Sequence, residues 1–178
     1  MLDLETWGTS PGCAIASLGA VFFDFDGRPL GPSYYANISS ESCAALGLLF
    51  DSRVVEWWGQ QSEEAQAALD PDQLLITVVL DRFTEFVEAN DEPELCVWSH
   101  GATFDIPITD TAMRAAGRQT PWKYHNGRDT RTLIWLAEQL GFSTEWPHTG
   151  LKHYALDDAK SRALQMIALR QRIVTLHA

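Results

Sequence analysis

The chain has 178 residues, of which 46% are hydrophobic, enough for one domain (1–178) with its own core. Its 24 acids against 13 Lys and Arg give a formal net charge of −11, which excludes strong binding to long duplexes, because that depends on basic groups at the phosphates. Apolar runs such as LLITVVL at 74–80 are far too short for a bilayer and no basic, apolar leader precedes the first acid, so a cytoplasmic protein without a membrane partner is expected.

In chain order, residues 2–38 read as an antiparallel meander. The first strand carries DLE, AIASLGAVFFDF (14–25) forms the second, and Asp26-Gly27 turns into a weaker strand at Tyr34 to Ile38. DSRVVEWW and SEEAQAAL follow as short helices with Asp51 and Ser62 as N-caps. A longer helix after Pro71 sets Leu75, Val78, Val79, Phe83, Phe86 and Val87 on one face and ends at Asn90 before a DEP turn. LCVW (95–98) reads as a buried strand, and a helix from Thr103 to Ala116, stopped by Gly117, completes a βα unit. A weak strand at Trp122 to His125 precedes a helix whose stripe Leu133, Leu136, Ala137, Leu140 ends at Gly141; the last helix spans His153 to Val174. A meander followed by βα units predicts an α/β fold with helices on both faces of a mixed sheet. Cys13, Cys43 and Cys96 have no CxxC spacing and read as inert buried thiols.

Three stretches put acids where a strand ends or a helix begins: DLE at 3–5, SHGATFD ending at Asp105, and HYALDD at 153–158. On an extended strand Asp3 and Glu5 share one face while Leu2 and Leu4 share the other. Neighbouring carboxylates raise each other's proton affinity unless a cation sits between them, so the pattern means a metal site or a solvated strand face. The apolar flanks favour the metal site. Taken singly, Asp105 and Asp158 equally suit the positive end of a helix, and a lone His153 is more often a structural histidine than a general base.

Together, DLET at 3–6, GATFD ending at Asp105 and H-x-x-x-x-D from His153 to Asp158 resemble the three motifs of the DEDDh, or DnaQ-like, 3′→5′ exonucleases. The opening DLETWGTSPGCAIASLGAVFFD, WWGQQSEEA and RDTRTL are similar to a narrower branch grouped with exonuclease VIII and RNase AS. The resemblance implies a ribonuclease H-like fold with a five-stranded sheet, three strands antiparallel and two parallel. It further implies hydrolysis assisted by two Mg²⁺ or Mn²⁺ ions. Asp3 would bridge both metals, Glu5 and Asp158 would complete one site, Asp105 would hold the second, and His153 would act as general base. On an ideal helix His153 and Asp158 diverge by about 140°, whereas Asp157 lies nearly under His153, so Asp157 is the alternative ligand.

The assignment is chemically coherent. A divalent cation makes water far easier to deprotonate, an imidazole completes the transfer near neutral pH, and oxygen ligands without Cys favour Mg²⁺ or Mn²⁺ over Zn²⁺. For substrate, Thr6 and Trp7 directly follow DLE, Trp57 or Trp58 offers a stacking face, Ser99 and His100 end a strand near Asp105, and Arg128 and Arg131 suit phosphates. Each also has an ordinary core or surface reading. The expected partners are single-stranded or short RNA or DNA 3′ ends, and the resemblance allows a homodimer. Two readings compete with the exonuclease: a nucleic-acid-binding or interaction module with an impaired metal site, and an endonuclease, which fits the acids but not HxxxxD.

Overall fold

The computed structural model describes residues 1–90 and 95–175, so the DEP turn expected after Asn90 lies outside the described residues. Strands β1 (Leu2–Thr6), β2 (Ile15–Val21) and β3 (Ser33–Asn37) form an antiparallel sheet in that order, and β4 (Val97–Ser99) pairs in parallel with β5 (Gly127–Asp129). The helices are α1 (Ser40–Ala45), α2 (Ser52–Trp58), α3 (Glu63–Ala67), α4 (Ile76–Ala89), α5 (Asp105–Ala115), α6 (Thr130–Gln139) and α7 (Ala155–Thr175). The α/β class and the antiparallel-then-parallel order are as the sequence predicts.

The strands hydrogen-bond as two ladders among the described residues rather than as one sheet of five. Met1 and Val21 exchange both backbone bonds, so the alternation of an antiparallel pair turns the N–H of Leu4 away from β2. Asp105 Oδ1 accepts that N–H at 3.2 Å, and a side chain thereby occupies an amide that a neighbouring strand would otherwise use. β4, three residues long, packs beside β1.

The two faces of the antiparallel sheet differ as the alternation requires. Leu2, Leu4, Leu18, Ala20 and Ala36 enter a core with Ile76, Val79, Leu80, Phe83 and Val87 of α4 and with Ile108, Ala112 and Met113 of α5. A second core gathers Met1 and Val21 against Ala137 of α6 and Ala159, Ala163, Met166 and Leu169 of α7. The register sets Asp3, Gly19 and Tyr35 in one row and Glu5, Ser17 and Asn37 in the next, on the side that α7 covers. Gly19 is what lets α7 come so near. A Cβ there would lie 2.3 Å from Ala155 C and Leu156 N, inside the backbone of α7.

Several predicted boundaries shift. β2 stops at Val21 instead of Phe25. Phe22 and Gly31–Pro32 close a wide loop in which Gly27, at φ +84°, makes the turn and Phe23 and Phe25 pack against Trp98. Leu75, expected on the apolar face of α4, precedes its first turn and is 58% exposed, whereas Ile76 and Leu80 join the buried stripe. The strand expected at Trp122 to His125 is a 3-10 turn at Tyr124–Asn126, pinned by Asn126 Nδ2 donating to Leu95 O, and β5 follows it. α5 starts at Asp105 and α7 at Ala155, each about two residues later than expected; α1, capped by Ser39, was not anticipated. Cys13 and Cys43 are buried free thiols and Cys96 is half-buried, with burial pushing the Cys43 thiol up to about 11. No helix among the described residues is long and apolar enough to cross a membrane.

Gly19→Ala is expected to lower the unfolding free energy by about 1–3 kcal/mol, because α7 must move bodily off β2. Thermal denaturation measures it, and an unchanged midpoint would contradict the close approach.

Candidate active site

The acid-bearing rows of β1 and the first turns of α7 meet over Gly19. Glu5, the ring of His153 and Asp158 each offer a ligand atom, and these atoms lie within 4.8 Å of one another. Asp105 arrives from the start of α5, 3% exposed and held by the Leu4 N–H. Its charge acts on both Asp3 and Glu5. All four carboxylates of the sequence motifs therefore share one electrostatic site.

Burial leads the pKa shifts of all three acids, and repulsion between acids adds to it at Glu5 and Asp3. Burial pushes Glu5 up to about 8, and repulsion from Asp158 and Asp105 adds to it. Asp3 is held well above its usual range by burial, then by Asp105, Glu5 and Asp158, with Arg162 opposing; some of its surface still reaches solvent, but protein surrounds the group closely enough for desolvation to lead. Burial raises Asp105 to about 7, against the Leu4 N–H, the nearby Ser99 hydroxyl and the Arg131 charge. Such a cluster stays protonated unless positive charge enters it, and oxygen donors with one imidazole suit Mg²⁺ or Mn²⁺. The residues present fit a divalent cation.

His153 precedes α7 with a left-handed backbone, φ +61°, so it does not share the helical geometry that would carry it away from Asp158. Its N–H donates to Asp158 Oδ2 at 2.9 Å. Its ring stands edge-on to Trp57, centroids 5.0 Å apart, and 6.1 Å from Trp58. The two tryptophans of α2 divide as their spacing suggests. Trp58 is buried with Nε1 donating to Thr6 O at 3.0 Å, tying α2 to the end of β1, and Trp57 is 41% exposed beside the site.

Asp157 is committed elsewhere: its Oδ2 accepts the Leu151 N–H at 2.9 Å and lies against Gly150. Thr6 is buried and donates to Gly8 O, and Trp7 packs between Phe50 and Trp58 with its Nε1 unpartnered. Ser99 is fully buried, and although it lies near enough to Asp105 to lower its pKa, its hydroxyl makes no hydrogen bond of ordinary geometry. His100 Nδ1 lies 2.8 Å from Thr130 Oγ1; burial, Arg162 and Arg131 push its pKa down to about 4, so the ring is neutral. Arg131 lies across Gly101, and Arg128 Nη1 donates to the carbonyls of His125 and Gly127.

Sequence reasoning missed three residues of this neighbourhood. Gly19 has a readable signal, an isolated glycine inside an apolar strand. Arg162, whose charge reaches Asp3 and His100, looks like any exposed basic residue of a long helix. His148, whose Nε2 lies 2.7 Å from Asp158 Oδ1, sits in a loop with no periodicity to betray it.

Asp105 is protonated in the folded chain up to about pH 7 but ionises near 3.8 when unfolded, so the stability it confers is complete below 3.8 and is lost as pH rises to about 7. In EDTA, the stability of Asp105→Asn relative to wild type should therefore improve between pH 4.5 and 8, as followed by urea denaturation. Parallel profiles would reject the shift.

Comparisons with known proteins point to nucleases. Residues 1–169 match the family described as the 3′–5′ exoribonuclease Rv2179c-like domain. The chain is 24% identical over 164 residues to an exodeoxyribonuclease of Enterobacteria phage T4, covering 75% of this chain and 69% of that protein. It also resembles the crystal structure of cell-death related nuclease 4 (CRN-4), at TM-score 0.65 and 16% identity, over 98% of this chain. It spans only 63% of that nuclease's length, and the likeness at this identity concerns the fold. With residues 1–169 of 178 matched, the chain belongs to the Rv2179c-like 3′–5′ exoribonuclease domain family, a nuclease of the DEDDh type.

Proposed function

We propose that the chain hydrolyses nucleotides from the 3′ ends of short or single-stranded RNA or DNA, with Asp3, Glu5, Asp105 and Asp158 holding two Mg²⁺ or Mn²⁺ ions. The observation that carries this reading is the convergence of Glu5, His153 and Asp158 within 4.8 Å, with Asp3 and Asp105 coupled to them by charge. When bound, the cations neutralise charge at the scissile phosphate and make the attacking water more acidic.

The chain's own residues supply the rest. The His153 ring, beside Glu5 and Asp158, takes the proton from water as its oxygen attacks phosphorus. The bond from phosphorus to the 3′ oxygen breaks, and that oxygen takes a proton from solvent. The products are a nucleoside 5′-monophosphate and a strand shorter by one residue. Asp105 braces the site through Leu4, keeping the carboxylates of β1 and α5 in fixed relation. The exposed face of Trp57 supports the terminal base by stacking, a contact indifferent to sequence. A net charge of −11 favours short single-stranded ends over long duplexes.

RNA and DNA oligonucleotides labelled at either end, incubated with Mg²⁺ or Mn²⁺, should lose residues one at a time from the 3′ end. Failure with both polymers and both ions would reject the enzyme in favour of a binding module, and cleavage of a circular substrate would favour an endonuclease. Asp3→Asn should abolish turnover while the melting temperature in EDTA holds or rises, since it removes a buried acid rather than packing. Trp57→Ala should raise KM by about five- to 150-fold, in line with 1–3 kcal/mol per stacked base, and leave Mn²⁺ affinity unchanged.

A further inference from the structure

Five hydrogen bonds fasten the segment 144–153 along α7. Gln165 Nε2 donates to Thr144 O at 2.9 Å, and the Thr149 N–H donates to Ser161 Oγ at 3.4 Å. The Leu151 N–H donates to Asp157 Oδ2 and the His153 N–H to Asp158 Oδ2, both at 2.9 Å. The fifth is the side-chain contact of His148 Nε2 with Asp158 Oδ1 at 2.7 Å. Ser161 and Gln165 are almost fully buried polar residues on a helix, and this segment gives each of them a partner, while Arg162 Nη1 donates to Gln165 Oε1. The segment follows α7 from its start to its third turn and delivers one imidazole to one carboxylate.

Both oxygens of Asp158 are thus engaged, Oδ1 by His148 and Oδ2 by the backbone of His153. A carboxylate that serves as a metal ligand only accepts, so in that role of Asp158 the contact requires His148 to donate from Nε2–H. The two side chains are 21% and 25% exposed, shielded enough for a charge-assisted bond to hold a rotamer. His148 lies outside the H-x-x-x-x-D motif and has no part in the hydrolysis described above.

Resting on the reading of Asp158 as a metal ligand, we propose that His148 is a positioning residue: its Nε2–H fixes the orientation of the Asp158 carboxylate and thereby sets the affinity of the site for its divalent cation. Without that donor, Asp158 would explore other rotamers and each binding event would have to order it afresh. Partners that orient metal-ligating side chains typically contribute 10- to 100-fold in metal affinity.

The test is Mn²⁺ binding by calorimetry at one fixed pH, with the melting temperature in EDTA recorded for every variant. His148→Ala should weaken Mn²⁺ binding about 10- to 100-fold, and His148→Gln, whose amide nitrogen reaches the position of Nε2, should restore most of it. Asp158→Asn should weaken binding at least as much, and adding His148→Ala to it should cost little more, because His148 acts through Asp158. Wild-type affinity in His148→Ala, equal losses in the Ala and Gln variants, or additive losses with Asp158→Asn would each overturn the inference. Should His148→Ala fail to fold, His148→Gln against the shorter His148→Asn decides it: retained affinity in Gln alone supports the role, and equal affinities overturn it. A wild-type protein that takes up no Mn²⁺ would instead overturn the nuclease reading, and this inference with it.

Discussion

The contact of α7 with Gly19 is the constraint on which the site depends. Helices usually rest on sheets through side chains, which keep the two backbones well apart. Here the backbone of Ala155 and Leu156 occupies the space that any Cβ at position 19 would fill. Asp3 is paired directly with Gly19, so the helix that carries Asp158 starts above the cross-strand neighbour of the first acid. A bulkier β2 would leave the same residues in the chain but would separate them in space.

The consequence is electrostatic crowding. Asp3, Glu5 and Asp105 all have their proton affinity raised, mainly because water is excluded, and at Asp3 and Glu5 also because acids surround them. Buried acids that repel one another do not favour folding once ionised, and Arg162 and Arg131 offset only part of the repulsion. The fold accepts this cost where a cation would be most strongly attracted. The hydrogen bonds around the acids also fix their geometry. Leu4 holds Asp105, while His148 and His153 hold Asp158.

Much of this was legible because local rules and tertiary demands coincide. The alternation of Asp3 and Glu5 with Leu2 and Leu4 is a period-2 pattern, and the sheet buries the leucines. Asp51 and Ser62 cap α2 and α3 with their side chains, and Gly117 and Gly141 follow α5 and α6 with left-handed backbones. What was not legible is set by distant partners. β5 is GRD, three residues without an apolar alternation, and it is a strand because β4 lies beside it. Phe22 to Phe25 look like strand but leave the sheet to pack with Trp98. His148 reaches the site through loop geometry, for which spacing offers no signature.

The backbone of His153 carries a further implication. A left-handed conformation costs a residue with a side chain on the order of 1–3 kcal/mol, and glycine or asparagine would adopt it more easily. Position 153 therefore sets folding against chemistry: the substitutions that relax the chain are the ones that discard the imidazole. A lineage selected for robustness alone would drift toward glycine there, and persistence of histidine against that pull would be the mark of an active enzyme.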